Sequence, residues 1–302
     1  MLRLFLLLLG LIVAFLALGN LLFELAYKKE VKANLLRSSA LPKKLLTESD
    51  IQHLPPPAQQ YLRYAGVLNK PKVHSVKIVF EGQMRSRDKD WFPFVSEQYN
   101  FFDVPTRLFF MKGKMFGINV PGYHAYKNGD ASMQIKLFGW FPVVNIKGGG
   151  LNKTETVTLF NDMCLLAPAT LIDKRIQWEL IDSYSAKAIY TNNGITISAT
   201  LFFDELGRLV NFVSDDRGSV DDGKTYRFST PVHAYKNFNG FNVIARGDGV
   251  WHYPEGEFTY GKFILKEISY NPKECGVNKL PEFGEAIFSP GKAREGSLAK
   301  AK

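Results

Sequence analysis

Residues 186–215 read AKAIYTNNGITISATLFFDELGRLVNFVSD. Ile195, Ile197, Ala199, Leu201 and Phe203 recur at every second position. Successive side chains of a strand point to opposite faces, so this stretch presents one clean apolar face. Asn192-Asn193-Gly194 precedes it, and Asp204-Glu205-Leu206-Gly207 follows it. Glycine-closed turns between alternating segments specify hairpins. The segment is therefore three strands of an antiparallel meander, with a fourth expected just before it at 177–182.

The same period extends in both directions. In 75–85, Val76, Ile78, Phe80, Gly82 and Met84 share one face, while Lys77, Glu81, Gln83 and Arg85 lie mostly on the other. Further strands are expected over 93–102, 106–115, 118–127, 131–139 and 154–160. Asp103-Val104-Pro105, Asn128-Gly129-Asp130 and Gly148-Gly149-Gly150 mark turns between several of them. Three more strands fit 224–235, 241–253 and 257–270. One helix interrupts the run over 163–172, capped by Asn161 or Asp162 and limited by Pro168. Before the strands, 47–66 reads as two short helices. Thr47 and Asp50 can cap the first, Pro55-Pro56-Pro57 break it, and Gly66 stops the second. The fold class read from this order is mainly β: a large curved antiparallel sheet or half-barrel with a helix insert, because sheets of ten or more strands curl.

Residues 4–23 are uncharged, with Asn20 the one strongly polar residue. About 20 apolar residues at 1.5 Å per residue cross a bilayer core. An uncleaved transmembrane anchor is the preferred reading, since Leu21, Leu22 and Phe23 continue the apolar run. A cleaved signal segment, with Ala17 and Gly19 as the small residues, is the alternative. The organisation expected is an anchor or signal segment over 1–23, a basic juxtamembrane stretch and short helices over 24–72, the β domain over 73–271 and a polar tail over 272–302. Leu35, Leu36, Leu41, Leu45 and Leu46 are placed on the membrane surface or on a solvated linker helix. The flanking charges are ambiguous under the positive-inside rule, and an extracytoplasmic domain is the preferred orientation.

Of the net charge of +9, all but +1 lies in residues 1–44 and 291–302. A nucleic-acid module concentrates basic residues on the folded domain, so no nucleic-acid partner is expected. Here the basic flanks suit anionic lipid headgroups, and membrane lipid is the expected partner.

Recognisable chemistry is scarce. There is no Gly-x-Ser-x-Gly elbow and no phosphate loop. Cys164 and Cys275 match no metal-ligand spacing, and His53, His74, His124, His233 and His252 are not paired as ligands. No cofactor or metal is expected. Two polar groupings remain. Asp215-Asp216-Arg217 with Asp221-Asp222 is a dense acidic patch, and Trp251-His252-Tyr253 joins a histidine to aromatics. The patch can be turn chemistry or, together with His252 and Glu179, a site of unrecognised catalysis.

Large apolar groups stand at consecutive positions in Trp91-Phe92-Pro93-Phe94, Phe101-Phe102, Phe109-Phe110 and Phe138-Gly139-Trp140-Phe141. Both faces of parts of the sheet must then be covered. One face can pack on helices. The other takes a ligand, a lipid surface, a partner protein or a further layer of the chain itself. The candidate ligand-binding residues are Trp91, Phe94, Phe110, Trp140, Trp178, Trp251 and Tyr253, with Glu179, Asp216, Arg217 and His252 as polar candidates.

A wider pattern joins these elements. Leu54-Pro55 with Gln60-Tyr61-Leu62, Trp91-Phe92-Pro93-Phe94 with Glu97-Gln98, Ala167-Pro168-Ala169, Trp178-Glu179 with Ile181-Asp182, Phe203-Asp204-Glu205-Leu206-Gly207 and Asp216-Arg217 occur in this order. Over about 50–270 this resembles a family of uncharacterised bacterial membrane-anchored proteins, of the DUF6544/DUF6920 type. That resemblance implies no activity. More loosely, the element order resembles the half-barrel of lipoprotein-carrier proteins, which implies a hollow for acyl chains. The function expected is a membrane-tethered binding protein for a lipid or other amphiphile on the concave face of the sheet. An envelope assembly protein with a protein partner, and an enzyme using Asp215, Asp216 and Arg217, are the alternatives.

Overall fold

The computed structural model describes residues 1–276 except Phe116 and Asp221. The polar tail expected over 272–302 falls almost wholly outside the described residues, as does Asp221 of the acidic patch.

Among the described residues, fourteen antiparallel strands form one sheet. They are β1 (Ser75–Met84), β2 (Phe92–Phe101), β3 (Thr106–Met115), β4 (Ile118–Lys127), β5 (Asp130–Leu137), β6 (Phe141–Lys147), β7 (Ile176–Asp182), β8 (Ser185–Asn192), β9 (Ile195–Phe203), β10 (Leu209–Gly218), β11 (Thr225–Ser229), β12 (Val232–Phe238), β13 (Phe241–Tyr253) and β14 (Gly256–Tyr270). The helices are α1 (Leu2–Ser39), α2 (Glu48–Ile51), α3 (Pro56–Tyr64) and α4 (Gly150–Leu166), the last followed by a 3₁₀ turn over Pro168–Ile172.

The strand order is β6-β5-β4-β3-β2-β1-β14-β13-β11-β10-β9-β8-β7, with β12 also paired to β13. The chain therefore starts at the centre of the sheet and meanders out to the β6 edge. It crosses to the β7 edge through α4 and meanders back until β14 lies beside β1. The path does not close, so the sheet is an open half-barrel, and the crossing places α4 over its inner face.

The expected hairpins form. Asn193 and Gly194 take positive φ between β8 and β9, and Gly207 does so before β10. Ile197, Ala199, Leu201 and Phe203 are buried as the alternation requires. Thr47 and Asp50 make the expected capping box on α2, with the Thr47 amide donating to Asp50 Oδ2 at 2.8 Å.

Three readings need correction. The threonine-rich stretch 154–160 is not a strand but the middle of α4. Thr154, Thr156 and Thr158 turn their hydroxyls back to the carbonyls four residues earlier, at 2.8–3.0 Å, which satisfies them inside a helix. The helix thus begins well before Asn161. The expected strand at 224–235 is two strands, because Pro231 has no amide to continue the ladder; β11 and β12 pair with successive halves of β13. Finally, Leu35 does not lie on a membrane surface or a solvated face but belongs to an apolar stripe of α1 that packs on the sheet. Phe23, Tyr27, Val31 and Leu35, at helical spacing, pack on Tyr99, Phe101, Leu108, Phe110, Tyr123 and Ala125 of β2–β4. Leu46 is likewise buried in the core.

This packing covers the outer face of β2–β4. Tyr27 stacks on Phe110 with centroids 5.1 Å apart, and its hydroxyl donates to the Glu97 carbonyl at 3.2 Å. Glu24 pairs with Lys112, and Arg37 with Asp103. Higher up, the β5–β6 turn crosses α1. Trp140 Nε1 donates to the Phe15 carbonyl at 2.8 Å, and its ring stacks on Phe15. Gly19 and Gly139 make the crossing possible: a Cβ on the first would overlap the Trp140 indole, and one on the second the Gly19 carbonyl. Residues 2–15 of α1, by contrast, are exposed, and the helix is long and apolar enough to cross a membrane.

The main core lies on the inner face, between α3, α4 and strands β7–β10. Phe160 of α4 stacks on Tyr190 at 5.2 Å, and the Tyr61 hydroxyl of α3 donates to the Cys164 carbonyl at 2.8 Å. Cys164 and Cys275 are both free thiols.

The outer seam is testable. Phe110→Ala should cost about 3–5 kcal/mol of unfolding free energy, and Leu36→Ala, on the exposed side of α1, less than about 0.5 kcal/mol, in urea titrations of the full chain in non-ionic detergent. A chain starting at residue 40 bares the Phe110 face and is expected to self-associate in analytical ultracentrifugation.

Candidate functional site: a cavity under the crossing helix

Away from the packed core, α4 stands off part of the inner face of the sheet. A cavity of about 350 Å³ lies between them. Strands β1–β5 supply an apolar floor that includes Phe80, Met84, Phe109, Met111 and Met133. Strands β11, β13 and β14 supply an aromatic wall of Phe228, Trp251, Tyr253, Phe258, Tyr260 and Phe263. Thr154, Thr158 and Leu165 of α4 form the roof.

The wall is built on small residues. Gly249 and Gly261 face one another across the β13–β14 ladder. A Cβ on either would overlap the ring of Tyr260 or Phe263, so the rings lie flat on bare backbone. Phe228 meets Trp251 edge-on at 5.2 Å, and Trp251 stacks on Tyr253 at 5.9 Å, giving a continuous aromatic strip.

One end of the cavity is polar. Arg107, buried on β3, donates from Nε to Asp162 Oδ2 at 2.9 Å, from Nη1 to Glu155 Oε2 at 3.2 Å and from Nη2 to Gln98 Oε1 at 3.0 Å. Gln98 and Asn100 donate to the same Asp162 oxygen at 2.6 and 3.0 Å. Asp162 and Glu155 belong to α4, so this network ties the crossing helix to the sheet. A buried cation survives there because two carboxylates and an amide surround it. Beside it, burial lowers the pKa of His124 to about 4, with Arg107 and Arg217 adding to the effect, and the imidazole is neutral at pH 7.

The candidate residues read from the sequence are dispersed. Trp251, Tyr253 and Arg217 line the cavity. Phe94 lies one layer behind the wall, with its ring on Phe263 at 5.5 Å. Trp91 sits outside it, its ring facing Arg85 and Lys262. Phe110 is on the opposite face, under α1, and Trp140 is at the α1 crossing. Trp178 packs at the β7 edge against the main core. Glu179 is exposed and pairs with Lys187 at 3.4 Å.

The acidic patch does not assemble into a site. The β10–β11 register slips between Ser214 and Arg217, and the three side chains part company. Asp215 pairs with Arg227 in solvent at 2.9 Å. Asp216 pairs with Lys153 at 2.7 Å and accepts the Ser198 amide at 2.7 Å. Arg217 alone turns into the cavity. His252, on the other face of β13 from Trp251 and Tyr253, contacts Ser229 at 2.8 Å and Glu257 at 3.4 Å. No group of His, Cys, Asp or Glu among the described residues is arranged to hold a metal.

Sequence reasoning missed Arg85, Arg87, Arg107, His124 and Arg246, all of which line the cavity. They come from the β1–β2 loop, β3, β4 and β13, and only the sheet order brings these elements together.

The sequence signature of a family of unknown function, DUF6544, matches residues 44–263. No curated protein matches the chain. Among solved structures, a LolA superfamily protein from Nitrosomonas europaea is similar, with 12% identity and a TM-score of 0.40 over 77% of this chain and 97% of that one. A porin-like protein from Bacteroides uniformis has 7% identity and a TM-score of 0.25 over 65% and 98% respectively.

Two outcomes follow from the polar end. Asp162→Ala strips Arg107 of its main partner and should cost about 3 kcal/mol or more in urea unfolding, against about 1–2 kcal/mol for Glu155→Gln. His124 takes up its proton more readily unfolded than folded. Its contribution is therefore neutral above pH 6.5 and increasingly destabilising as pH falls from about 6.5 toward 4. His124→Gln is expected to flatten that part of the stability–pH curve, read as the difference in urea midpoint between the variant and the wild type at pH 7 and pH 4.5.

Proposed function

The chain belongs to the DUF6544 family of unknown function, and we propose that it is a membrane-tethered protein that holds an amphiphile in the cavity between α4 and the inner face of its half-barrel. The cavity itself carries this reading. Its volume, about 350 Å³, falls in the lower part of the range of roughly 300–1,000 Å³ typical of small-molecule sites. Its walls combine a broad apolar surface with a few convergent polar groups, the pattern of sites that bind an apolar body and orient a polar end. Trp251, Tyr253 and Arg217 are its contact residues in this reading.

The tether rests on α1. Residues 4–15 are the exposed apolar part of a helix whose continuation is fastened to the outer face of the sheet. Phe15 and Gly19 are packing partners of Trp140, a structural use for residues that a discarded signal segment would not need. Trp140 stands where the helix leaves the domain, and Phe141 and Val143 beyond it are 55% and 66% exposed. Aromatic and apolar side chains at that level suit the membrane interface. The domain then rests beside the bilayer, on the extracytoplasmic side, with Arg3 on the other.

The test is native mass spectrometry of the full chain released from non-ionic detergent after incubation with bilayer phospholipid. The wild type should retain one amphiphile per chain. Thr158→Trp, which fills the cavity from α4, should retain less than about a tenth as much with an unchanged melting temperature. A wild-type chain that takes up no amphiphile defeats the reading.

A further inference from the structure

The arginines of this domain divide in a way that the cavity explains. Six of them, Arg37, Arg63, Arg107, Arg175, Arg208 and Arg227, each pair with a carboxylate. Four more, Arg85, Arg87, Arg217 and Arg246, have no ion-pair partner among the described residues, and all four line the cavity. The two carboxylates that line it, Glu155 and Asp162, are already held by Arg107. The domain outside the terminal segments is nearly neutral, so this is a local excess of positive charge and not a consequence of a basic chain.

Arg217 and Arg85 are also drawn partly out of solvent, and Arg87 lies against an aromatic ring. The Arg217 guanidinium carbon lies 3.8 Å from the Phe228 ring centroid and 5.1 Å from that of Trp251. Its Nε is buried with no hydrogen-bond partner. Arg87 lies 3.3 Å from the centroid of Tyr253, at the other end of the same aromatic strip. Arg85 donates Nε to the Thr259 carbonyl at 2.9 Å and lies over Phe258. Arg246 is exposed where the cavity meets solvent. Cation–π contact offsets only part of the cost of drawing a guanidinium out of water, and an unsatisfied buried donor adds to that cost. An anion among these groups would satisfy both, with the forked guanidinium geometry that suits phosphate and carboxylate.

We infer that the amphiphile carries an anionic, phosphate- or carboxylate-bearing head, held between Arg217 and Arg87 with Arg85 and Arg246 at its margin, while its apolar tail lies on the floor near Met111 and Met133. This rests on the amphiphile-holding reading above and adds its charge selectivity.

The experiment is a competition. The full chain in non-ionic detergent is offered phosphatidylglycerol and phosphatidylcholine with identical acyl chains in equal amounts, and retained lipid is weighed by native mass spectrometry. The wild type should retain phosphatidylglycerol over phosphatidylcholine by about tenfold. The double variant Arg87→Gln/Arg217→Gln should bring the ratio to about twofold or less while still retaining lipid, and Arg227→Gln, on the outer face, should leave it unchanged. If the double variant fails to fold, Arg246→Gln, at an exposed position, should lower the ratio by itself and Arg217→Lys should keep it. Equal retention of the two lipids by the wild type, or a preference that survives the cavity variants, overturns the inference and leaves the amphiphile reading standing. Retention of neither lipid overturns both.

Discussion

Burial on both faces of one sheet is the constraint from which this structure follows. Strands β2 and β3 carry large side chains at successive positions, and a strand must send these to opposite sides. Tyr99, Phe101, Leu108 and Phe110 point outward, while Phe94, Phe109 and Met111 point inward. Water can wet neither side without a large loss of apolar burial. The chain answers with two helices from quite different places. The continuation of the N-terminal apolar helix covers the outer side, and the crossover between the two meanders covers the inner one.

The two covers are not equivalent. Helix α1 fits its face closely, through stacked rings, ion pairs and a glycine–glycine crossing. Helix α4 seals only one half of the hollow. Over β8–β10 its side chains interdigitate with the sheet, but over β1–β4 and β13–β14 it is held away by a polar network centred on Arg107. Burying that cation and its carboxylates is costly, and an apolar interior would be at least as stable. Its position at the margin of the cavity explains the outlay: it fixes the roof at a distance from the floor and leaves a space between.

Much of the fold was legible because it was local. Alternation in 195–203, the Asn-Gly turn before it and the Thr47 capping box each act within a few residues, and each appears as read. Reading failed where tertiary contact reversed a local preference. The β-branched Thr154, Thr156 and Thr158 favour a strand, but their hydroxyls find helical carbonyls and their neighbours Val157 and Phe160 find a core. Leu35 has the look of a membrane-surface residue, yet Phe101 and Leu108 offer it a drier place. Trp140 and Phe110 were conspicuous aromatics, and they serve the helix seam and not the hollow.

The sequence by itself determined the class of the fold, its apolar N-terminal helix and the demand that both sheet faces be covered, because periodicity and composition act along the chain. Only the tertiary structure decided which residues share the cavity. Arg85 and Arg217 are far apart in sequence, and they line one cavity because β14 returns to lie beside β1 and a slipped register at Ser214 turns Arg217 inward. Such a convergence depends on strand order and bulges, which are set by long-range pairing and leave no periodic trace in the chain.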